Sequence, residues 1–396
     1  MKIVQITAIY GEKSTGSIVR ALDLLIRQEN MESWVVYRDS ALPIPNGIRA
    51  GNKSDWTFHA IRTRVDGKQG YGSRKATRRL LLELDRIAPD ALHLHNVHSN
   101  FLNLPLLMQY AKKRSIPVIL TLHDCWFFTG KCYHFADIGC EKWRSGCGQC
   151  PKRTKDIPSL LRDSSAEVCS DRAQLFDYDK LYVVGCSNWI TSLAAQSPVF
   201  KKAKCRTIYN GVNTNVFCEA AENRVPGRLS VLTMANKWFD PANEAAGNRI
   251  LASLKKNDCL TIVGCTDAQR QIYADNAMVK TFGYVRDRER LAELYAKADV
   301  FLNLTHIDTL PTVNMEALSC GTPVITYDAG GSGELVRQGE TGYVIKPDDV
   351  EGVSEALERI RGGAISREMC RAYAENHFDE KRNYDEYLHL YQELAK

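Results

Sequence analysis

Groups able to hold a phosphorylated sugar stand in close order in the second half of the chain: Asp308, Thr309, Leu310 and Pro311, then Glu316, then Gly330, Gly331 and Glu334. An apolar run at residues 299–304 ends in this polar loop, which leads into a helix starting near Thr312. A helix N-terminus offers unpaired N–H groups and the positive end of the helix dipole, which suit phosphate or sugar hydroxyls. Pro311 is read at the first helical position, where it leaves no orphan donor. Glu316 lies one turn in, and a carboxylate there can accept two hydrogen bonds from a ribose diol. The Gly330-Gly331 pair lets a ligand approach the backbone closely. Taken singly, Gly321-Thr322-Pro323 is only a helix-to-strand turn and a lone helical Glu is solvated surface. Their fixed order across one βαβ unit is what favours a binding site.

That order resembles the donor-site signature of glycosyltransferase family 4, enzymes that are retaining and adopt the two-domain GT-B fold. The signature has an acidic residue, seven intervening residues and a Glu that opens E-A-L-x-x-G-x-P-V-I, then a G-G-x-x-E loop. Here Asp308 holds the first place, Glu316 the second, and Gly330 to Glu334 the loop. The resemblance is to bacterial members that build surface polysaccharides. It implies that Asp308 and the Thr309 and Leu310 amides, with Pro311 beside them, hold the donor sugar. Glu316 would take the ribose hydroxyls, and Gly330, Gly331 and Glu334 would lie at the sugar phosphate. Family members carry an Arg and a Lys against the diphosphate after the strand that here ends in Met234-Ala235-Asn236-Lys237-Trp238. Residues 239–243 contain no basic side chain, so Asn236 and Lys237 are the candidates, with Arg249 a further substitute.

The resemblance further implies a nucleotide-sugar donor, expected to be UDP-linked, and a glycan or lipid-linked glycan acceptor. Attack would come from the face the diphosphate leaves, the leaving phosphate helping to deprotonate the acceptor, with no dedicated catalytic metal. The alternatives are a GT-B relative with other nucleotide-sugar chemistry, such as an epimerase, and a catalytically inactive relative. Asp308 in place of Glu and the missing basic pair keep the second alternative open.

In the first half, Gly16-Ser17 follows the first apolar run and is read as opening the first helix, where the family places a Gly-rich turn near the donor phosphates. His93 and His95 share one face of a strand, His93 being read as structural, and Asn96-Val97-His98 gathers polar groups at that strand's end. His123-Asp124 ends the run 117–122, where the family has a His-Asp pair near donor sugar and acceptor. His123, Asp308 and Glu316 are thus the residues expected at the reacting end. A lone His at a strand end is usually structural, and His123 is given no general-base role.

Five of the thirteen cysteines fall between Cys125 and Cys150. The spacing Cys132-x7-Cys140-x6-Cys147-x2-Cys150 fits a tetrahedral structural zinc, with His134 a substitute ligand and Cys125 a core residue. Two disulfides or four unlinked thiols are the alternatives. Similar Cys-rich loops occur in the polysaccharide enzymes the chain resembles.

The elements that must carry these groups alternate in type. Apolar runs at 2–9, 33–37, 91–95, 117–122 and 181–186 are separated by helical patterns at 17–28, 74–87 and 104–113. Runs at 230–234, 260–263, 299–304, 323–327 and 343–345 repeat the rhythm, with helices at 288–297, 312–319 and 350–360. Such alternation predicts parallel sheets in an α/β fold of two Rossmann-like, doubly wound domains, with ligands beyond the strands' carboxyl ends in the cleft between them. The expected division is 1–210 (acceptor side, with the Cys-rich loop 125–151), 211–378 (nucleotide-sugar side), and a helix at 379–396 packing back on the first domain.

A 44% apolar and 25% charged composition is that of a globular protein. No apolar run reaches membrane-spanning length, and the N-terminus reads as a strand rather than a signal peptide, so a cytoplasmic location is expected. Residues 1–200 carry 27 Lys and Arg against 19 Asp and Glu, concentrated in Arg62, Arg64, Lys68, Arg74, Lys75, Arg78 and Arg79. This patch suits anionic lipid at the inner membrane face, a phosphate-bearing acceptor or nucleic acid, or is a solvated helix face. Nucleic acid is disfavoured because the basic residues lack interleaved aromatics. A nicotinamide oxidoreductase is disfavoured because no G-x-G-x-x-G turn follows the first strand.

Overall fold

Among the described residues there are thirteen strands, the central ones built from stiff β-branched and apolar runs, and every pairing between them is parallel. The computed structural model describes residues 1–219 and 227–394; residues 395 and 396 of the expected C-terminal segment lie outside these. The strands are β1 (Lys2–Tyr10), β2 (Glu32–Ser40), β3 (Gly47–Arg49), β4 (Ala91–Leu94), β5 (Val118–Leu122), β6 (Leu181–Gly185), β7 (Lys204–Thr207), β8 (Ser230–Met234), β9 (Cys259–Val263), β10 (Val279–Phe282), β11 (Val300–Asn303), β12 (Val324–Tyr327) and β13 (Gly342–Ile345). One sheet has the order β3-β2-β1-β4-β5-β6-β7 and the other β10-β9-β8-β11-β12-β13. Central strands such as β4 and β5 are buried along their whole length, as a parallel sheet covered on both faces requires.

Each order reverses once, between β1 and β4 in the first sheet and between β8 and β11 in the second. At such a switch point the connections leave in opposite directions, and a crevice opens beyond the strands' carboxyl ends. The chain divides into two compact units, 1–209 with 384–396, and 210–383. The last helix, Glu380–Leu394, therefore crosses from the second unit to the first. There its Tyr384, Tyr387, Leu388, Leu390 and Tyr391 join Ile3, Leu22, Ile26, Ile119 and Val184 in one core cluster.

Three details differ from the sequence reading. Helix 13–28 begins at Lys13, so Ser17 is an exposed residue of its second turn and not its opening residue. Pro311 is the N-cap of helix Thr312–Ser319, one place before the first helical position. The loop after β5, read through its cysteines alone, is built on an aromatic core: Trp143 stacks on Phe135 with ring centroids 4.9 Å apart and lies 5.7 Å from Phe128.

Candidate functional site

In the second unit the loop after β11 is built by its own backbone. The Asp308 carboxylate accepts the Leu310 N–H at 3.1 Å, and the Asp308 carbonyl accepts the Gly331 N–H at 3.0 Å. The second bond joins the β11 loop to the β12 loop. It demands close approach, because a Cβ on Gly330 would lie 1.9 Å from the Asp308 oxygen, and Gly330 has φ +62°. Asp308, Thr309, Leu310, Pro311, Gly330 and Gly331 are thus brought together. Thr309 is buried and its hydroxyl has no partner.

Glu316 lies in the second turn of helix 312–319, where Tyr295 donates its hydroxyl at 3.0 Å. Burial raises the Glu316 carboxyl above its ordinary 4.5, while the Tyr295 hydrogen bond and the nearby charge of Arg288 pull the other way. Arg288 is a residue the sequence reading missed. It opens helix Arg288–Lys297 and sits over the Phe217 ring at 5.2 Å; burial raises the carboxyls of both Glu316 and Glu380, and the Arg288 charge opposes that rise in each. Its signal was available, a cation at the start of a helix that ends near β11, but nothing in the sequence linked it to Glu316.

Asn236 and Lys237 occupy a four-residue helix, Ala235–Trp238, directly after β8, at the switch point. Arg249 does not belong with them: it is ion-paired with Glu351 on the helix Val350–Arg361. Glu334 lies in the short turn Gly333–Leu335 after Gly331.

In the first unit the switch point gathers β1, β4 and β5. Gly11 N–H donates to the Gly16 carbonyl at 2.8 Å, and a Cβ on Gly16 would meet the Ile9 oxygen at 3.1 Å, so Gly16 is where helix and strand end touch. Asn96 donates to Thr15 at 3.1 Å. The His123 ring contacts His95 Nδ1 through Nε2 at 3.2 Å, and His95 contacts Gln5 at 3.3 Å. Below them His93 lies between Tyr391 and Thr121, at 2.7 Å from each. Burial lowers His123 to about 4, helped by His98 and opposed by Asp124, and lowers His93 to about 3. His123 is therefore neutral near pH 7. Asp124 pairs with His98 at 2.9 Å; burial raises its carboxyl, but the His98 charge and hydrogen bond and the Trp126 N–H outweigh burial and keep it ionised.

Cys132, Cys140, Cys147 and Cys150 all line one apolar cavity of about 20 Å³, and all are unpaired thiols. Among the described residues no three His, Cys, Asp or Glu side chains stand as a metal-binding group. Among the same residues no helix is long and apolar enough to cross a membrane.

Two family models match the chain: Glycosyltransferase Family 4 over residues 26–216 and Glycosyl transferases group 1 over residues 248–377. The protein named as the colanic acid biosynthesis glycosyl transferase WcaC of Escherichia coli strain K12 is 24% identical over 324 residues, covering 77% of each chain. A glycosyltransferase from Rickettsia africae superposes with a TM-score of 0.69 over 100% of this chain and 98% of its own, at 14% identity. HepE of Anabaena, in complex with UDP, superposes with a TM-score of 0.65 over 99% and 100%, also at 14% identity. Likeness at that identity establishes the shared architecture.

Proposed function

The chain belongs to glycosyltransferase family 4 and is a GT-B glycosyltransferase, and from that premise we propose that it is a retaining enzyme of surface-polysaccharide assembly. It moves a sugar from a UDP-linked donor to a glycan or lipid-linked glycan. The assignment to polysaccharide assembly is supported by the similarity to WcaC. The UDP donor is supported by the HepE complexes with UDP and UDP-glucose, which share the architecture. The observation that carries the reading is the junction of Asp308 and Gly331 over Gly330, one helix opening away from Glu316.

In this reading Glu316 accepts the ribose hydroxyls, and the Thr309 and Leu310 amides and Asp308 hold the sugar. Gly330, Gly331 and Glu334 lie at the sugar phosphate, with Asn236 and Lys237 at the diphosphate. Gly16, Ser17 and neutral His123 serve the first unit's side of the reaction. The sugar–phosphate C–O bond breaks as the acceptor oxygen bonds the anomeric carbon from the same face. The acceptor proton passes to the departing diphosphate. The protein's part is positioning and electrostatic stabilisation.

The test is a thermal-shift panel of nucleoside diphosphates and nucleotide sugars on the wild type and Glu316→Ala. A ligand that binds only the folded state raises the melting temperature. UDP should stabilise the wild type and not the variant; no shift by any nucleotide would withdraw the donor assignment.

For the loop 125–151 we propose a structural zinc held by Cys132, Cys140, Cys147 and Cys150. The shared cavity supports it, while the sulfurs do not stand as a coordination set and no catalytic step runs through the metal. Metal analysis of purified protein decides: one equivalent of zinc, lost in Cys147→Ser, supports the site, and metal-free folded protein refutes it.

A further inference from the structure

His95, fully buried just past β4, has a neighbour at each ring nitrogen: Gln5 Oε1 lies 3.3 Å from Nε2, and His123 Nε2 lies 3.2 Å from Nδ1. An amide oxygen only accepts, so Nε2 of His95 carries a proton and donates it to Gln5. His95 carries no second proton near pH 7. Burial holds its pKa well below the ordinary 6.5, and His93 and His123 push the same way. The His93 ring centroid is 4.0 Å off, so charging both rings would set like charges side by side out of water. Nδ1 of His95 is therefore a lone pair, and His123 faces it through Nε2. Two lone pairs cannot bond, so Nε2 of His123 carries the proton and donates it to His95. His123 is neutral near pH 7 as well, which leaves its Nδ1 unprotonated.

The series is braced by the last helix. His93 is held at Nδ1 by the Tyr391 hydroxyl and at Nε2 by Thr121, 2.7 Å each, and Thr121 lies 3.0 Å from the Tyr387 hydroxyl. Gln5, His93 and His95 are all 0% exposed, whereas His123 is only half-buried, and its Nδ1 has no hydrogen-bond partner among the described residues. A structural histidine spends both nitrogens inside; His123 spends one and keeps the other for a ligand. Gln5 is the residue on which the assignment turns. Its amide nitrogen is buried without a partner, and turning the amide over would reverse every proton in the series. The tautomer of His123 thus reads out the Gln5 orientation directly.

We propose that Gln5 and His95 are positioning residues that hold His123 as its Nε2–H tautomer, so that its free Nδ1 meets substrate as a hydrogen-bond acceptor. The partner of an acceptor must bring the proton, so Nδ1 takes a hydroxyl and refuses a phosphate or carbonyl oxygen. This deepens the placing of His123 at the reacting end and rests on that reading for its kinetic consequence alone. The test is NMR of the imidazole nitrogens in the ligand-free full chain at about pH 7, the His123 signals being assigned by their loss in His123→Asn. A protonated Nε2 with an unprotonated Nδ1 is expected in His123; a protonated Nδ1, or an averaged pair of signals, overturns the proposal. Gln5→Leu removes the acceptor that orients His95 and should turn the single His123 tautomer into an averaged pair; an unchanged spectrum overturns the role of Gln5. The kinetic readout is UDP release from UDP-glucose, UDP-galactose and UDP-N-acetylglucosamine. His95→Phe fills the site without an acceptor and should slow release at least about tenfold, the worth of about one hydrogen bond. His95→Asn offers an oxygen near the place of Nδ1 and should restore most of the rate, with UDP stabilisation kept in both variants. Equal rates in the two variants would make His95 merely structural. A weaker affinity of His95→Phe for the nucleotide sugar than for UDP, relative to wild type, puts the hydroxyl on the donor sugar; unchanged affinities with slower release put it on the attacking oxygen. The spectrum needs no donor, so failure of the donor reading and failure of this one are told apart.

Discussion

Gly330→Ala tests the proposed donor loop most directly, because the cost can be separated into two parts. The first is backbone conformation: φ is +62°, and an L-residue in the left-handed region costs about 1–2 kcal/mol. The second is contact. The new Cβ would lie 1.9 Å from the Asp308 carbonyl oxygen, a backbone atom that cannot rotate away as a side-chain end would. The β11 loop must shift, and the 3.0 Å bond from Gly331 N–H to Asp308 is lost, for a further ~1 kcal/mol net plus overpacking of about 1–3 kcal/mol. Gly339→Ala is the control. Gly339 lies in the same unit with φ +77° and has nothing within 4 Å of its built Cβ, so it carries the conformational part alone. Urea melts of the two variants should therefore differ by about 2–4 kcal/mol. UDP affinity measured by calorimetry should fall at least about tenfold in Gly330→Ala and stay unchanged in Gly339→Ala. Equal melts with equal affinities would refute both the close approach and the role of this loop in donor binding.

Tyr295→Phe removes the hydroxyl that helps keep Glu316 ionised. A ribose diol donates to the carboxylate, so UDP affinity falls as pH drops through the Glu316 pKa, which burial places above 4.5. Calorimetric titrations across pH should show that fall displaced to higher pH in the variant; superimposable profiles would remove Glu316 from the ribose. The first unit should lose stability on acidification for a different reason. His59 Nε2 accepts backbone N–H groups from Gly70 and Gly72 and must be unprotonated to do so, and burial lowers its pKa to about 4. The unfolded chain takes up that proton first, so the His59 contribution is complete above about pH 6.5 and is lost as pH falls towards 4, in total about 3 kcal/mol. Denaturant melts of wild type and His59→Asn should converge over that window. Leu390→Ala, which opens the core shared by the last helix and β1, should cost roughly 2–5 kcal/mol in the unfolding of the first unit.

The strands with long β-branched runs and the helices with clear periodicity were legible in the sequence, among them β8 (Ser230–Met234) and the helix Thr312–Ser319. The edge strands β3, β7 and β10 were not. They are three or four residues long, and Lys204–Thr207 and Gly47–Arg49 have no buried residue in their patterns, so they carry no apolar signal. Helix 53–66 escaped because its buried positions are largely polar and its apolar ones face out, which inverts the periodicity on which sequence reading rests. The loop after β11 was legible as an ordered series of residue types. Its construction from the Asp308 carbonyl was not, because a backbone acceptor leaves no mark on the side-chain pattern. Arg288 was illegible for a related reason: its nearness to Glu316 arises from two helices that are 28 positions apart at those residues.

Asp308 in place of the family's Glu takes on a different meaning with the loop built. A shorter side chain folds back on its own turn, and its carboxylate accepts the Leu310 N–H at 3.1 Å while its carbonyl holds Gly331. Both bonds shape the loop. The substitution is therefore compatible with an active site in which the residue positions the Thr309 and Leu310 amides through its turn. Asp308→Asn separates the two roles. Asn keeps an oxygen for the Leu310 N–H and loses the charge, so a turn-building Asp308 predicts an affinity for the UDP-linked donor within about fivefold of wild type, the worth of exchanging a charge-assisted for a neutral hydrogen bond. Asp308→Ala removes the acceptor as well and should lower both affinity and transfer rate by at least about tenfold. If Asn behaves as Ala does, the negative charge itself meets the donor, and the side chain must leave the Leu310 N–H when the sugar binds.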